Sequence, residues 1–264
     1  MRAPNARLDG FRPRQPRGDN GSMALRRFRP LTWLGGHEMT VLVALACIVA
    51  GVWGFALLAD EVTEGGTQAF DQNLLLAFRT GPAHSPLGPP PVREAARDIT
   101  SLGGTAVLTI VTIIAAGFLA LDGKTHMALF LCASVLGGVA ASTVLKDVFH
   151  RPRPDLVPYS VYVSGASFPS GHSMMSAVTY LTLGALLARS QERKRIKAYF
   201  LLVAIFLTFS VGVTRVYLGV HWPTDVLAGW TAGSVWALLC WLAARWLQSR
   251  RTLERESNDP QTTD

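Results

Sequence analysis

The chain has 264 residues and a net charge of +7; 49% of its residues are hydrophobic and 16% charged. Charges cluster between long apolar runs, which excludes both an ordinary soluble domain and a disordered chain and points to a membrane bundle. The basic residues follow the order of those runs instead of forming a patch, so nucleic acid is not an indicated partner.

Residues 1–37 are rich in Arg, Pro and Gly with little apolar periodicity, and are expected to form a disordered basic cytoplasmic tail in which Met23 offers an alternative start. Six runs then have the length and apolarity that a bilayer core of about 30 Å demands of a helix. They are Met39–Ala59, Gly103–Leu121, Thr125–Leu145, His172–Ala188, Ala198–Val213 and Val226–Trp246. The first is longer than a secretory-signal core, and its removal would leave an odd number of spans, so it reads as a retained helix. Cys47, Cys132 and Cys240 all fall inside these runs and read as small packing residues without a disulfide framework.

Eighteen of the 25 Lys and Arg lie in the tail before Met39, at Lys124, from Arg189 to Lys197, and from Arg245 onwards. The positive-inside rule puts those segments in the cytoplasm. The expected fold class is all-α: a six-transmembrane helical bundle with both termini cytoplasmic. Its membrane domain spans 38–247, a cytoplasmic tail covers 248–264, and 60–102 form the longest external connection. Within that connection Thr67 to Arg79 sets Phe70, Leu74, Leu75 and Phe78 on one helical face, with Asp71 and Gln72 elsewhere, which suits a helix lying on the membrane or one packed on the bundle. Gly81 to Pro91 is a turn-rich break, and Pro91 opens a short helix through Asp98. Gly137, Gly138, Ala140 and Ala141 in the third span, and Gly229 and Gly233 in the sixth, permit close approach of helices.

Three polar blocks interrupt the apolar pattern: Lys146 to Arg153-Pro154, Pro169-Ser170-Gly171-His172, and Thr214-Arg215 to His221 and Asp225. The topology puts all of them at the outer face, although it was assigned from other charges. Lys146 and Arg153 supply a point charge and a planar fork suited to phosphate oxygens; Lys146 and neighbouring Arg151 also fit interfacial anchors. Ser170 and Gly171 form a turn into a helix start, where free amides favour an anion and serine is also a common cap. His221 and Asp225, four apart, share a helical face, so the carboxylate can fix the imidazole tautomer; capping by Asp225 is the simpler alternative. No third ligand or second acidic cluster accompanies them, so no metal or other cofactor is indicated.

Taken in order, Lys146-x6-Arg153-Pro154, Pro169-Ser170-Gly171-His172 and Thr214-Arg215-x5-His221-x3-Asp225 resemble the three-part signature of the type 2 phosphatidic acid phosphatase (PAP2) superfamily, which also includes vanadium haloperoxidases. The one departure, Thr214 for serine, keeps a hydroxyl. The resemblance implies a metal-independent lipid phosphatase in the plasma (inner) membrane, with its site facing the periplasm or exterior. His221 would be the nucleophile forming a phosphohistidine, Asp225 its orienting group, and His172 the proton donor to the leaving oxygen. Lys146, Arg153, Arg215 and the amides near Ser170 and Gly171 would hold the phosphoryl oxygens. Expected substrates are phosphatidic acid, phosphatidylglycerol phosphate or a polyprenyl diphosphate. Alternatives are phosphotransfer to another lipid through the same intermediate, or a transporter; the oligomeric state is not set by the sequence.

Overall fold

The computed structural model describes residues 36–81, 85–157 and 165–257. The expected N-terminal tail (1–35 of it) lies outside these residues. The regular secondary structure of the described residues is helical except for one small hairpin, and 151–157 and 165–170 are irregular segments. Its elements are α1 Gly36–Glu64, α2 Gln68–Ala77, β1 Arg79–Thr80, β2 Ser85–Pro86, α3 Pro90–Ser101, α4 Thr105–Leu121, α5 Thr125–Phe149, α6 Gly171–Arg189, α7 Lys194–Tyr217 and α8 Pro223–Ser257. β1 and β2 pair antiparallel, with Arg79 opposite Pro86 and Thr80 opposite Ser85.

Each of the six apolar runs forms a helix. Four of these helices (α1, α5, α7 and α8) are long and apolar enough to cross a membrane, and α3 with α4, bent by 49° at their break, together make a fifth candidate. At 19 residues α6 is not among them, because Ser173, Ser176, Thr179 and Thr182 dilute its apolarity. Those same residues are buried. α6 is the central helix, packed against α4, α5, α7 and α8, so its side chains meet protein where those of α1 and α4 present Trp53, Ile113, Ile114 and Phe118 outward. α8 runs on to Ser257, well past the expected end of the last span at Trp246.

Helix ends follow local chemistry. α6 starts at Ser170, whose side chain accepts from the Ser173 amide at 3.5 Å, the N-cap geometry that satisfies an orphan amide. α8 starts with Pro223 in its first position, where the missing N–H costs nothing, and Asp225 reaches back to the Trp222 amide at 2.9 Å, half of a capping box. α5 ends on His150 in the left-handed region at φ 45°.

Small residues decide how closely the central helices approach. A Cβ on Gly229 would lie 2.6 Å from the Ser170 carbonyl oxygen and 2.9 Å from Ser173 Cβ, so the α8 backbone touches the start of α6 directly. Gly233 makes a similar approach to the Met174 carbonyl, as expected for small-residue packing in a membrane. The connection over 60–102 closes the same end. Leu75 of α2 packs with Val157, Val216 and Val226, and Ala96 of α3 with Tyr217, Leu218 and Val220. α2 therefore packs on the bundle through Asp71 and Leu75, both fully buried, while Phe70 and Leu74 stay exposed.

Candidate active site

All three polar blocks meet at one end of the bundle. α5 brings Lys146 in its last turn, α6 brings His172 at its second position, α7 brings Arg215 in its last turn, and α8 brings Asp225 in its first. His221 lies in the tight connection between α7 and α8, and Arg153 in the segment after α5. His172 lies within electrostatic reach of Arg215, His221, Lys146 and Arg153; Lys146 stands in the same relation to Arg153, Asp225 and Arg215. A separate apolar cavity of about 430 Å³, lined by Phe130, Leu181 and Trp241 among others, lies at the opposite end of α5, α6 and α8, away from this chemistry.

The centre is a line of three groups. His221 Nδ1 is 3.4 Å from Asp225 Oδ2, and Arg153 Nη1 is 3.2 Å from His221 Nε2. An arginine can only donate, so Nε2 carries the lone pair and Nδ1 carries the proton that faces Asp225. His221 is almost fully buried. Burial pushes its pKa down to about 4, against an opposing pull from Asp225 and with Arg215 and Arg153 lowering it further. At neutral pH the ring is uncharged, with a lone pair directed towards a cation.

The other cations are held by the protein's own oxygens. Lys146 Nζ donates to the Ala166 carbonyl at 2.9 Å. Arg153 donates to the carbonyls of Val220 at 2.8 Å and Gly165 at 3.1 Å. Buried Arg215 donates to Thr100 Oγ1 of α3 at 3.3 Å, and its Nε has no partner among the described residues. Gly171 faces the Lys146 side chain: a Cβ there would stand 3.3 Å from Lys146 Cε. The break between α3 and α4 covers His172, since a Cβ on Gly104 would come 3.9 Å from its Nε2.

Ser170 has other work. Its amide donates to the Asp225 carbonyl at 2.9 Å, and its side-chain oxygen accepts from Ser173, so it joins α6 to α8 and caps α6. The amides of Gly171 and His172 have no acceptor among the described residues and sit at a helix start, a natural place for an anion.

Several residues of this site were not singled out in the sequence. Arg151, which fitted an interfacial anchor, instead donates to Asp225 Oδ1 at 2.6 Å, Thr224 Oγ1 at 2.8 Å and Asp71 Oδ2 at 2.7 Å. Ser167 donates to Asp225 Oδ2 through a short hydrogen bond. Asp71 also accepts from the Thr224 amide at 2.9 Å. The available signal was the alternation Arg151-Pro152-Arg153-Pro154. A residue before proline is held extended, and extended backbone sends side chains two apart to the same side. Both arginines therefore turn to the His221–Asp225 pair.

The PAP2 superfamily profile matches residues 127–249, which hold all three polar blocks. Phosphatidylglycerophosphatase B of Bacillus subtilis (strain 168) is 32% identical over 189 residues, 68% of this chain and 85% of that protein. Lipid A 1-phosphatase of Rhizobium etli is 30% identical over 174 residues, 57% of this chain and 71% of its own length. The crystal structure of a transmembrane PAP2 type phosphatidylglycerolphosphate phosphatase from Bacillus subtilis superposes with a TM-score of 0.69 at 28% identity, covering 75% of this chain and 96% of that one. The chain belongs to the PAP2 superfamily. It is a multi-pass membrane lipid phosphatase, a hydrolase of phosphoric ester or diphosphate bonds.

Proposed function

We propose that the enzyme hydrolyses a lipid phosphomonoester or diphosphate through a phosphohistidine on His221. The line Asp225–His221–Arg153 carries this assignment, because a neutral imidazole held by a carboxylate on one nitrogen has its other nitrogen directed at the cation that would grip a phosphoryl oxygen.

In the first step His221 Nε2 attacks phosphorus, the N–P bond forms, and the bond to the lipid oxygen breaks. His172 donates its proton to that oxygen, so the alcohol or phosphate monoester leaves neutralised. Asp225 stabilises the positive charge that develops on His221. In the second step His172 takes a proton from water, the resulting oxygen attacks phosphorus, and the N–P bond breaks to release inorganic phosphate. Lys146, Arg153, Arg215 and the amides of Gly171 and His172 surround the charge spread over the transferring group, where most of the rate enhancement of phosphoryl transfer arises.

Six spans with both termini in the cytoplasm put this pocket at the outer face of the plasma (inner) membrane, and a membrane domain over 38–247 contains it. The candidate substrates are phosphatidylglycerol phosphate, phosphatidic acid and polyprenyl diphosphates; the relatives' names favour a glycerophospholipid or lipid A phosphate. The test is phosphate release by purified protein from a panel of these lipids, with chelator and without added metal. His221→Ala is expected to abolish turnover, and acid-labile phosphate should be trapped on wild-type protein in a rapid quench. Near-normal rates in His221→Ala would overturn the nucleophile assignment. Vanadate should inhibit as a phosphate mimic.

A further inference from the structure

Asp225 is held by more than the mechanism above requires. Its Oδ2 accepts from Ser167, from the Trp222 amide at 2.9 Å and, at 3.4 Å, from His221. Its Oδ1 is paired with Arg151 at 2.6 Å. Arg151 in turn is paired at 2.7 Å with Asp71 of α2, in a site where the two carboxylates are 0% and 1% exposed and the guanidinium 14%. The ring of Trp222 lies against the same guanidinium at 5.6 Å, and its Nε1 donates to the Pro152 carbonyl at 3.2 Å. One fork therefore spans two carboxylates, one beside the nucleophile and one on the external connection.

We propose that Arg151 and Asp71 are positioning residues for phosphoryl transfer: Arg151 fixes the rotation and balances the charge of Asp225, and Asp71 fixes Arg151, which makes α2 part of the catalytic apparatus. This rests on His221 being the nucleophile. A carboxylate with one oxygen anchored by a planar fork cannot rotate away from the imidazole. The cation beside it also limits how strongly that carboxylate favours a charged ring, so His221 stays neutral and able to attack. Asp71 does the reverse at one remove, offsetting Arg151. Because Asp71 also accepts from the Thr224 amide and hydroxyl at 2.9 and 2.6 Å, α2 is fastened to the first turn of α8, the turn that carries Asp225. A merely structural clamp would use the same bonds, so the test must read the electrostatics of His221.

The charged groups facing His221 are Asp225 of α8, Arg153 of the following segment of α5, Arg215 of α7 and His172 of α6. None of them changes in Arg151→Met or Asp71→Asn. Steady-state kinetics across pH should be measured for these two variants, Arg151→Lys and His221→Ala, each purified and checked for folding by thermal melt. In Arg151→Met, kcat is expected to fall roughly tenfold to a hundredfold, as for a misplaced reacting group, with KM little changed. Its acid limb in kcat/KM should move up by about half a pH unit or more, because Asp225 without its cation favours the imidazolium. Arg151→Lys should return the limb towards its original position. Asp71→Asn should move it the opposite way, downward, because Arg151 loses its counter-charge. Opposite shifts are a signature that loss of folded protein cannot produce. The inference is overturned if both variants keep the wild-type limb, whether activity is normal or falls only in proportion to the folded fraction. If His221→Ala itself turns over, the nucleophile assignment fails instead, and the two failures are distinguishable.

Discussion

Arg153 Nη1 stands 3.2 Å from Nε2 of His221, so the guanidinium covers the nitrogen assigned to attack phosphorus. Arg153 is also bound to the Val220 and Gly165 carbonyls, which fixes it in place over the ring. In the proposed mechanism a phosphoryl group entering the pocket would exchange the Arg153–imidazole contact for an Arg153–oxygen contact and so release the lone pair. Arg153→Lys keeps the charge but loses the fork. We expect kcat/KM to fall by about a hundredfold, measured as phosphate release at subsaturating lipid phosphate. A change of less than threefold would remove Arg153 from the phosphate grip.

His221 gives the enzyme a defined pH response. Burial pushes its pKa down to about 4, below the ordinary value near 6.5. The neutral ring needed for attack is therefore present at neutral pH, and the acid limb of kcat/KM should appear only below about pH 5. His172 faces Arg215, Lys146 and Arg153, so it can hold its proton only when the negative charge of a bound phosphoryl group offsets those cations. The profile of kcat, read on the complex, should therefore be bell-shaped, and a flat or monotonic profile for the chemical step would contradict the two-imidazole mechanism.

The same group ties stability to pH. Unfolded His221 binds a proton below about pH 6.5, whereas the folded ring resists it until about pH 4. Its stabilising contribution is fully present above pH 6.5 and declines as pH falls towards 4. Thermal melts in detergent should show wild type losing more stability between pH 7 and pH 5 than His221→Asn does.

Arg215 is buried, with its Nε unpartnered among the described residues and Nη1 on Thr100. An N–H left without an acceptor in the site is available to a phosphoryl oxygen. Arg215→Gln should lower kcat by roughly a hundredfold to a thousandfold, the usual loss for one charge-stabilising donor. Thr100→Val, which removes only the support, should cost far less in the same assay.

Gly229 sets the distance between α6 and α8. An added Cβ would meet the Ser170 carbonyl oxygen at 2.6 Å, and because that atom is backbone it cannot turn aside. Gly229→Ala should destabilise by about 1–3 kcal/mol, as overpacking does, and should also slow turnover by shifting Asp225 against the start of α6. Chemical or thermal unfolding together with phosphate release would check both effects. Gly54→Ala on α1, where a Cβ meets nothing within 4 Å, is the neutral control.

The sequence by itself determined the apolar helices and the three polar blocks. Six apolar runs fix where helices can bury or expose a long hydrophobic surface. The polar blocks stood out because charge is costly within such runs. Helix order and a shared face then sufficed to bring Lys146, Arg153, His172, Arg215, His221 and Asp225 to one end of the bundle. What the tertiary structure alone decided is how those groups are held. Asp71 is 80 residues from Arg151 and 153 from Thr224; nothing local distinguishes a carboxylate destined for a buried ion pair from one on a solvated face of an amphipathic helix. The centrality of α6 was equally hidden, because its Ser and Thr residues read as a weaker span until packing on several sides showed that they meet neighbouring helices. Periodicity and cost of burial are properties of a segment, whereas the pairing of two buried charges depends on which surfaces the fold presses together.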